Sequence, residues 1–472
     1  MSQLKNIRVR FAPSPTGELH LGSARTALFN YLFAKNNQGK FLLRIEDTDT
    51  ERSQKVHIDQ AINSIKWLGL IPDEEIVFQS HRSKIYQKYL NLLLSSGKAY
   101  RCFASKQELQ LIREKTNSFQ YNGLWRDRSD EEINEQLELG NPYTIRLKTP
   151  NKGSIAFGDL IFGEIRVSNN EIDDFIIIRS DGSPVYNFTN VIDDYDMNIS
   201  HVIRGEDHIS NTPKQLHIYQ ALGFDNPSFA HLPMILGEDK KKLSKRHGAE
   251  SVESYKDKGF QSAPLINYLA LLGWNPGTNE EIMNLPQLIS KYDLQKVQKK
   301  SAVFDSKKFN WVSSQYLLKQ DPNTILQLIR KLEPTWGGKK TEEFCMRVID
   351  LMIPRCNFIG DIIQHSFYFF DYPKSYNVVD QKKVWKDETA IILKEIIQLY
   401  EKLEDLDHQS LENLFKGYIN SSGHGFGQVM KPMRLAICGS LTGPSLFELM
   451  ELIGVKDSMI RINKYINKFK ND

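Results

Sequence analysis

The alternation of apolar and polar positions predicts two strands and an intervening helix near the start of the chain. Residues 7–11 alternate as a β-strand does, and residues 41–45 form the short apolar run of a buried strand. Between them, apolar residues recur at helical spacing over residues 24–32. This order is typical of an α/β sheet in which the first strand leads through a turn into a helix.

The pattern changes after residue 80. Residues 80–128 read as helical and polar, and strands are expected at 143–147 and 155–167. The apolar runs 175–178 and 186–190 are expected to be strands that resume the first sheet. The sequence therefore predicts an insertion between two halves of one sheet.

The last part of the chain is predicted to be helical. Beyond residue 248 apolar residues keep helical spacing, most clearly over the amphipathic segment 387–406. A glycine stop at Gly454 precedes a basic last helix over residues 461–470. The chain should therefore change from mixed α/β to all-helical structure.

Composition narrows the class of protein. With 472 residues, 40% hydrophobic and 25% charged, the chain resembles ordinary globular proteins and is long enough for two to four domains. No run of 18 apolar residues and no apolar N-terminal segment occurs, so we expect no membrane span and a cytoplasmic protein. The net charge of +3 is small, so any contact with nucleic acid must come from local basic faces.

The cysteines predict neither disulfides nor a metal site. Four cysteines are scattered along the chain and none forms a Cys-x-x-Cys pair. Cys102 has no histidine near it, since none occurs between His81 and His201. We therefore expect no zinc and assign no metal ligands.

Two motifs carry candidate chemistry. The first turn reads PSPTG over residues 13–17 and then HLGS over residues 20–23, where Gly22 would let a ligand approach the backbone and His20 offers a hydrogen-bond donor. The second is KKKLSKR, residues 240–246, with five positive charges in seven residues. Taken singly, each is also compatible with a solvated surface turn or loop.

Together, in this order, the two motifs resemble the ATP-binding signatures of class I aminoacyl-tRNA synthetases, in the form used by the glutamyl and glutaminyl members. The resemblance implies that Lys245 and His20 are catalytic, because they stabilise charge on the α-phosphate of ATP. It also implies an ATP-binding set comprising Pro13, Thr16, Gly17, His20, Gly22, Lys242, Ser244 and Lys245.

The string RIEDTD at residues 44–49 is similar to the one that follows the second strand in glutamyl-tRNA synthetases. By that resemblance Glu46 holds the substrate ammonium group, and one or both of Arg10 and Arg204 grip its side-chain carboxylate. The implied glutamate-binding set is Arg10, Ala12, Ser14, Glu46, Tyr186, Asn190 and Arg204. The alternatives are a solvated acidic turn around Glu46, a core role for Tyr186, and a surface pair between Arg204 and Glu206 or Asp207.

The resemblance covers essentially the whole chain and implies its fold class. That class is α/β: a Rossmann-type nucleotide-binding domain with an inserted acceptor-binding domain, followed by an all-helical anticodon-binding region as in bacterial glutamyl-tRNA synthetases. The expected boundaries are 1–80 and 186–238 for the two catalytic halves, 81–185 for the insertion, 239–318 for the signature loop and connecting helices, and 319–472 for the anticodon-binding domain.

The implied reaction joins L-glutamate to tRNA-Glu in two steps, through a glutamyl-adenylate. ATP is expected to enter with Mg²⁺, held mainly by phosphates and water. The implied partners are L-glutamate and tRNA-Glu, with tRNA-Gln left open, and we expect a monomer.

By the same resemblance, three alternatives stay open. An enzyme that attaches glutamate to a modified base inside a tRNA lacks the anticodon-binding region and ends near residue 300. A glutaminyl enzyme has a β-barrel where this pattern is helical. A non-catalytic tRNA-binding paralogue is expected to have lost the signature lysine or histidine, whereas this chain retains Lys245 and His20.

Overall fold

The computed structural model describes residues 6–48, 54–241, 243, 250–400 and 406–469. The chain divides into two compact units, Met1–Tyr255 with Leu265–Ser306 and Lys256–Pro264 with Lys307–Asp472. Within the described ranges, no helix has both the length and the apolar character needed to cross a membrane. The finer five-part division expected from the sequence stays a prediction.

The regular elements alternate in the first unit and become helical in the second. The strands are β1 (Arg8–Phe11), β2 (Lys40–Ile45), β3 (Val77–Phe78), β4 (Ala99–Cys102), β5 (Thr144–Leu147), β6 (Ser154–Asp159), β7 (Gly163–Ser168), β8 (Ile176–Ile178), β9 (His201–Gly205), β10 (Ser228–Leu232), β11 (Ile235–Leu236) and β12 (Ala302–Val303). The helices of the first unit are α1 (Leu21–Asn36), α2 (Lys55–Trp67), α3 (Ser83–Ser95), α4 (Lys106–Thr116), α5 (Asp130–Glu138), α6 (Tyr186–Asp196), α7 (Thr212–Leu222), α8 (Val252–Asp257), which runs into the boundary, α9 (Ser262–Leu271), which starts at it, and α10 (Leu285–Lys291). The second unit contains α11 (Ser306–Leu317), α12 (Pro322–Leu332), α13 (Glu342–Met352), α14 (Ile359–His365), α15 (Val378–Val384), α16 (Thr389–Tyr400), α17 (His408–Ser422), α18 (Phe426–Cys438), α19 (Leu446–Ile453) and α20 (Val455–Phe469).

A parallel sheet organises the first unit. β2 pairs with β1 and β3, and β9 pairs with β10, all in parallel. The two sets meet where Ser200 donates its N–H to Arg8 O (2.9 Å) and Arg8 donates its own to Ser200 Oγ (2.8 Å). The resulting order, β3-β2-β1-β9-β10, reverses between β1 and β9. A ligand crevice opens at the carboxyl ends of the strands at such a point.

The turn between β1 and α1 lies at this crevice, as the hydrophobic pattern predicted. Pro13 O accepts the N–H of Glu46 (3.0 Å), which ties the turn to the end of β2. α1 begins after His20, whose backbone is extended (φ −78°, ψ 155°) and whose side chain makes no capping bond. As at any helix start, the first backbone N–H groups of α1 have no partner within the helix, and the positive end of the helix dipole favours an anion there.

The predicted insertion contains a sheet of its own, but two runs that were expected to resume the first sheet were assigned wrongly. β8 pairs with β5 in the antiparallel sheet β4-β5-β8, so residues 175–178 do not resume the first sheet. Residues 186–190 are not a strand either, because α6 begins at Tyr186. In so short a run the apolar residues fit both periods, and burial of Phe188, Val191 and Ile192 on one face selected the helix.

The prediction of continuous helix over residues 80–128 was also wrong in part. α3 and α4 are helical, but β4 lies between them and pairs with β5. Two residues after the end of α3, Gly97 has a left-handed conformation (φ 64°). This conformation lets the chain reverse into β4. After Asn117, which is also left-handed (φ 49°), the described chain has no helix until α5.

A hairpin completes the insertion and reaches the first sheet. β6 and β7 are antiparallel, and Asp159 at the end of β6 is in register with Phe229 of β10. The inserted segment therefore meets the parallel sheet beside β10.

The second unit is helical in every described regular element after Lys307, as the sequence predicted. Its core is formed by apolar side chains of α12, α13, α16, α18 and α20 that are fully or almost fully buried. The amphipathic segment forms α16, and its predicted residues 401–405 lie outside the described chain. The last helix starts at Val455, earlier than predicted, directly after Gly454 (φ 94°).

Candidate active site

A cavity of about 900 Å³ opens at the carboxyl ends of β1, β9 and β10 and at the start of α1. It brings together most of the candidate residues that the structure describes, namely Arg10, Ala12, Pro13, Ser14, His20, Gly22, Glu46, Tyr186, Asn190 and Arg204. Thr16 and Gly17 lie in the same turn but do not line the cavity. Lys242, Ser244 and Lys245 lie outside the described residues.

The α1 end of the cavity has room for a ligand close to the backbone. Leu21, Gly22 and Ser23 line it, and nothing in the described structure lies within 4 Å of the point where a Cβ at Gly22 would stand. His20 is exposed at the same edge. A side chain at position 22 would thus project into space that the fold leaves open.

Beneath the opposite end lies a buried network of charges centred on Asp194. Arg10 donates Nε and Nη2 to the two carboxylate oxygens (2.9 and 3.1 Å), and Arg44 donates Nη1 to Oδ1 (2.6 Å). Arg44 also donates Nη2 to Glu46 Oε1 (3.1 Å). The network ties β1, β2 and α6 together and fixes Glu46 at the cavity wall.

The two carboxylates of this network are shifted in opposite directions. Burial raises the pKa of Glu46 more than Arg44 and Arg10 lower it. Burial would raise the pKa of Asp194 too, but Arg10 and Arg44 outweigh it and hold that pKa below its usual value. Arg10 is therefore already paired with Asp194, whereas the sequence had led us to expect it to be available to a substrate carboxylate.

Arg204 differs from Arg10 because its partners are neutral. Its Nε donates to His231 Nε2 (3.2 Å), and Nη2 donates to Thr212 Oγ1 and Gln215 Oε1 (both 2.8 Å). Its guanidinium makes no ion pair with a carboxylate among the described residues, so the expected alternative of a surface pair with Glu206 or Asp207 is not what the structure has. Arg204 is only 5% exposed, and burial lowers its pKa.

Tyr186 stands between Arg204 and the cavity. Arg204 Nη1 donates to Tyr186 Oη (3.3 Å), which leaves the second Nη1 hydrogen without a partner in the described chain. Burial raises the pKa of Tyr186, so its hydroxyl stays protonated and can donate. The pair therefore presents the free N–H of Arg204 to an incoming anion, together with the Tyr186 O–H when that proton turns away from His208 Nδ1.

His208 adds a neutral acceptor on the other side of Tyr186. Its Nδ1 lies 3.2 Å from Tyr186 Oη. Burial and the nearby Arg204 lower the pKa of His208 to about 4. The imidazole is thus uncharged at neutral pH and does not compete with Arg204 for an anion.

Asn190 links the two networks. Its side-chain amide lies 3.2 Å from Gln215 Nε2, whose side chain also bonds Arg204, and 2.9 Å from Arg44 Nη2 in the charge network. The side chain is buried, so Asn190 orients the charge network as well as lining the cavity.

Cys102 lies in the inserted sheet, away from this network, and its thiol donates to Tyr121 Oη (3.3 Å). Within the described ranges, no group of three or more His, Cys, Asp or Glu side chains is placed to hold a metal ion. Cys102 is thus a buried residue whose thiol contacts a tyrosine hydroxyl.

Sequence reasoning missed several residues that shape the site. Asp194, Arg44, His231, Thr212 and Gln215 all contact a candidate residue and are all buried. The signal for Asp194 was available, because the pair Asp193-Asp194 follows an apolar run in what proved to be a buried helix. Arg44 stands inside the apolar run of β2, where a charged residue is rarely buried without a partner.

Comparison with known protein families agrees with this geometry. A family described as "tRNA synthetases class I (E and Q), catalytic domain" matches residues 6–311, and one described as "Anticodon binding domain" matches residues 327–466. The fold and the cavity at its topological switch point are thus those of a class I aminoacyl-tRNA synthetase of the glutamate and glutamine group.

Similar proteins narrow the family. "Glutamate--tRNA ligase 2" of Caldicellulosiruptor saccharolyticus is 42% identical, covering 98% of this chain and 99% of the relative. "Glutamate--tRNA ligase" of Thermodesulfovibrio yellowstonii is 41% identical over 98% and 99%. A crystal structure of a glutamate tRNA ligase from Elizabethkingia meningosepticum, in complex with its amino acid, superposes with a TM-score of 0.86 at 36% identity, covering 98% and 99%. The chain belongs to the glutamate–tRNA ligase family.

Proposed function

We propose that this chain ligates L-glutamate to tRNA-Glu through a glutamyl-adenylate and selects glutamate by binding its side-chain carboxylate to Arg204. The observation that carries the proposal is a buried guanidinium whose four protein partners are all neutral. A buried cation without a counter-ion is costly, and a substrate carboxylate supplies the missing charge. Glutamine would offer an amide, whose NH₂ opposes the donors of Arg204 and Tyr186.

The substrate ammonium group is assigned to Glu46. Its carboxylate lines the cavity at the end of β2, held by Arg44. Arg10 acts indirectly, because its guanidinium is engaged by Asp194 and orients the network beneath the amino acid. Ala12 and Ser14 form the wall between the amino acid and the nucleotide.

ATP is assigned to the α1 end of the cavity. Backbone N–H groups at the helix start suit phosphate, and Gly22 leaves the approach open. His20 and, from the sequence, Lys245 would supply donors to the α-phosphate as the carboxylate of glutamate attacks it. Mg²⁺ would be carried by the ATP phosphates and water, and no zinc is expected.

The second unit is proposed to read the tRNA anticodon, in keeping with the anticodon-binding family that it matches. That unit disfavours the enzyme that modifies a base inside tRNA, which lacks it, and its helical structure disfavours the glutaminyl enzyme. We further propose that the protein is cytoplasmic, because tRNA charging takes place in the cytoplasm. We also propose that it is a monomer. Whether tRNA-Gln is also charged stays open.

The test is ATP–pyrophosphate exchange with glutamate or glutamine, in the presence of tRNA-Glu, for wild type and Arg204→Gln. Truncating one partner of a buried, hydrogen-bonded charge pair costs about 2–5 kcal/mol, so kcat/KM for glutamate should fall by about 30- to 4,000-fold. The KM for ATP should stay near the wild-type value, since Arg204 is not at the α1 end.

Arg8→Gln is the matched control. Arg8 is an arginine on the neighbouring strand that, unlike Arg204, is ion-paired, with Glu74, and it does not line the cavity. This variant should keep wild-type kinetics with both amino acids. The assignment is wrong if Arg204→Gln keeps full selectivity for glutamate, and the functional class moves to the glutaminyl enzyme if wild type prefers glutamine.

A further inference from the structure

A fully buried carboxylate–imidazole pair lies directly behind Arg204, at the junction of the insertion and the parallel sheet. His231 of β10 is in register with Arg204 of β9, and its Nδ1 lies 2.7 Å from Asp159 Oδ2 at the end of β6. Both side chains are 0% exposed. No step of the proposed reaction uses either residue, and neither lines the cavity.

Hydrogen bonds fix which nitrogen of His231 carries the proton. Nε2 receives the Nε–H of Arg204 (3.2 Å) and lies 3.1 Å from Thr212 Oγ1, which itself accepts from Arg204 Nη2. Arg204 can donate its Nε–H to Nε2 only if that nitrogen presents a lone pair, so the proton is on Nδ1 and is donated to Asp159. Burial lowers the pKa of His231, in keeping with a neutral ring.

We propose that Asp159 and His231 are positioning residues for glutamate selection: Asp159 fixes the tautomer of His231, which then accepts from Arg204 and aims the remaining Nη1 donor at the substrate carboxylate. This inference rests on the proposed role of Arg204. The arrangement keeps the negative charge of Asp159 one ring away from Arg204. A carboxylate in direct contact would instead neutralise the guanidinium and compete with the substrate, as Asp194 does at Arg10.

The surroundings of Asp159 make an Asp159→Asn variant informative. Asp159 Oδ1 accepts the backbone N–H groups of Ile161 and Phe162 (2.9 and 2.8 Å), and Oδ2 accepts from the backbone and Nδ1 of His231. The two turn donors and the backbone N–H of His231 cannot change, whereas the imidazole of His231 can change tautomer. The turn supplies two of these three fixed donors, so the amide oxygen satisfies more of them there. In the variant, the oxygen of the new amide should therefore stay with the turn, and its NH₂ should force the proton of His231 onto Nε2, against the Nε–H of Arg204.

The experiment combines kinetics with ¹⁵N NMR of histidine-labelled full-length protein, in which His231→Gln identifies the signals of His231 by their loss. We expect wild-type His231 to be protonated at Nδ1 and Asp159→Asn to shift the proton to Nε2. In ATP–pyrophosphate exchange with tRNA-Glu present, Asp159→Asn should raise the KM for glutamate about tenfold, as expected for one lost charge-assisted hydrogen bond, and should narrow the preference for glutamate over glutamine. The KM for ATP should not change.

Two further variants separate positioning from general stability. His231→Gln can still accept from Arg204 through its side-chain oxygen, so it should be less impaired than His231→Leu, which cannot. Asp174→Asn is the matched control, because Asp174 is also a buried aspartate that accepts backbone and side-chain bonds, but within the inserted sheet. It should leave the KM for glutamate unchanged.

The outcomes distinguish this inference from the proposed function. If Asp159→Asn or His231→Leu binds glutamate as wild type does while Arg204→Gln is impaired, the positioning role is wrong and the role of Arg204 stands. If Arg204→Gln is unimpaired, the proposed recognition fails, whatever the NMR shows. Should Asp159→Asn not fold, the order of His231→Gln and His231→Leu decides: equal impairment overturns the proposal.

Discussion

Replacing Asp194 with Asn should selectively destabilise the first unit. Asp194 is 1% exposed and receives hydrogen bonds from Arg10 and Arg44, which are themselves 3% and 0% exposed. Removing one partner of a buried ion pair costs about 3–5 kcal/mol, because the remaining charge stays desolvated. Relative to about 5–15 kcal/mol for a whole domain, this is a large fraction of the free energy of unfolding.

Hydrogen exchange measured by mass spectrometry can follow the two units separately. Peptides from β1, β2 and α6 should lose about two to four orders of magnitude of protection in Asp194→Asn, which is the fold-change equivalent to 3–5 kcal/mol. Peptides from α16 and α18 serve as the internal reference. Asp196→Asn is the control on the same helix, since its partner Arg82 and its own side chain are more exposed (13% and 41%) and the loss should stay below about 1 kcal/mol.

The pH dependence of this difference has a definite sign. Because the folded state lowers the pKa of Asp194, its contribution to stability is present above its ordinary pKa of 3.8 and is lost as the pH falls through the lower, folded value. The gap between wild type and Asp194→Asn should therefore be constant near neutral pH and close only in acid. Equal protection in Asp194→Asn and Asp196→Asn would refute the argument that the network is a buried, mutually dependent set of charges.

Three further predictions concern other parts of the chain. Arg8 and Lys40 lower the pKa of Glu74 to about 2, so Glu74→Gln should lower the free energy of unfolding by less than about 1 kcal/mol above pH 4.5. This difference from wild type should shrink as the pH falls from 4.5 and vanish below about 2; a difference that widened in acid, measured by denaturation, would contradict the prediction. Tyr400→Phe should destabilise the second unit by about 0.5–1.5 kcal/mol, because the Tyr400 hydroxyl loses its hydrogen bond to the Leu411 carbonyl (2.8 Å) while that carbonyl keeps its bond within α17. Unchanged hydrogen exchange in α16 would argue against this. Lys245→Ala should lower the activation rate about a hundredfold or more with tRNA affinity almost unchanged; normal activation with weak tRNA binding would identify the basic loop as a tRNA contact.

Hydrophobic periodicity predicted the long elements of this chain better than the short ones. The strand, turn and helix from β1 to α1 and the helical second unit were predicted because each has a sustained period or a sharp turn signal. Residues 186–190 were misassigned because five residues do not separate the two periods, and long-range packing selected the helix. Which sheet β8 joins depends on its pairing with β5, about thirty residues earlier in the chain. No local sequence pattern encodes such a pairing.

The sequence predicted many of the residues that line the cavity, but not the hydrogen bonds and ion pairs between them. Motifs identified the turn before α1, Glu46 and Arg204, which the fold brings to one cavity. They gave Arg10 and Arg204 equal roles, whereas the structure neutralises Arg10 with Asp194 and leaves Arg204 among neutral groups. That distinction arises from α6 and β10, which lie about 180 and 220 residues beyond β1, so it required the tertiary structure.

The most direct test of the account is a crystal structure of this protein with L-glutamate bound. We predict that the side-chain carboxylate lies at hydrogen-bond distance, about 3 Å, from Arg204 Nη1 and Tyr186 Oη, with the ammonium group at Glu46. The Arg204 bonds to His231, Thr212 and Gln215 should be retained. A glutamate whose side-chain carboxylate is held elsewhere, with Arg204 contacting only protein groups, would contradict the central claim that this buried arginine recognises the substrate.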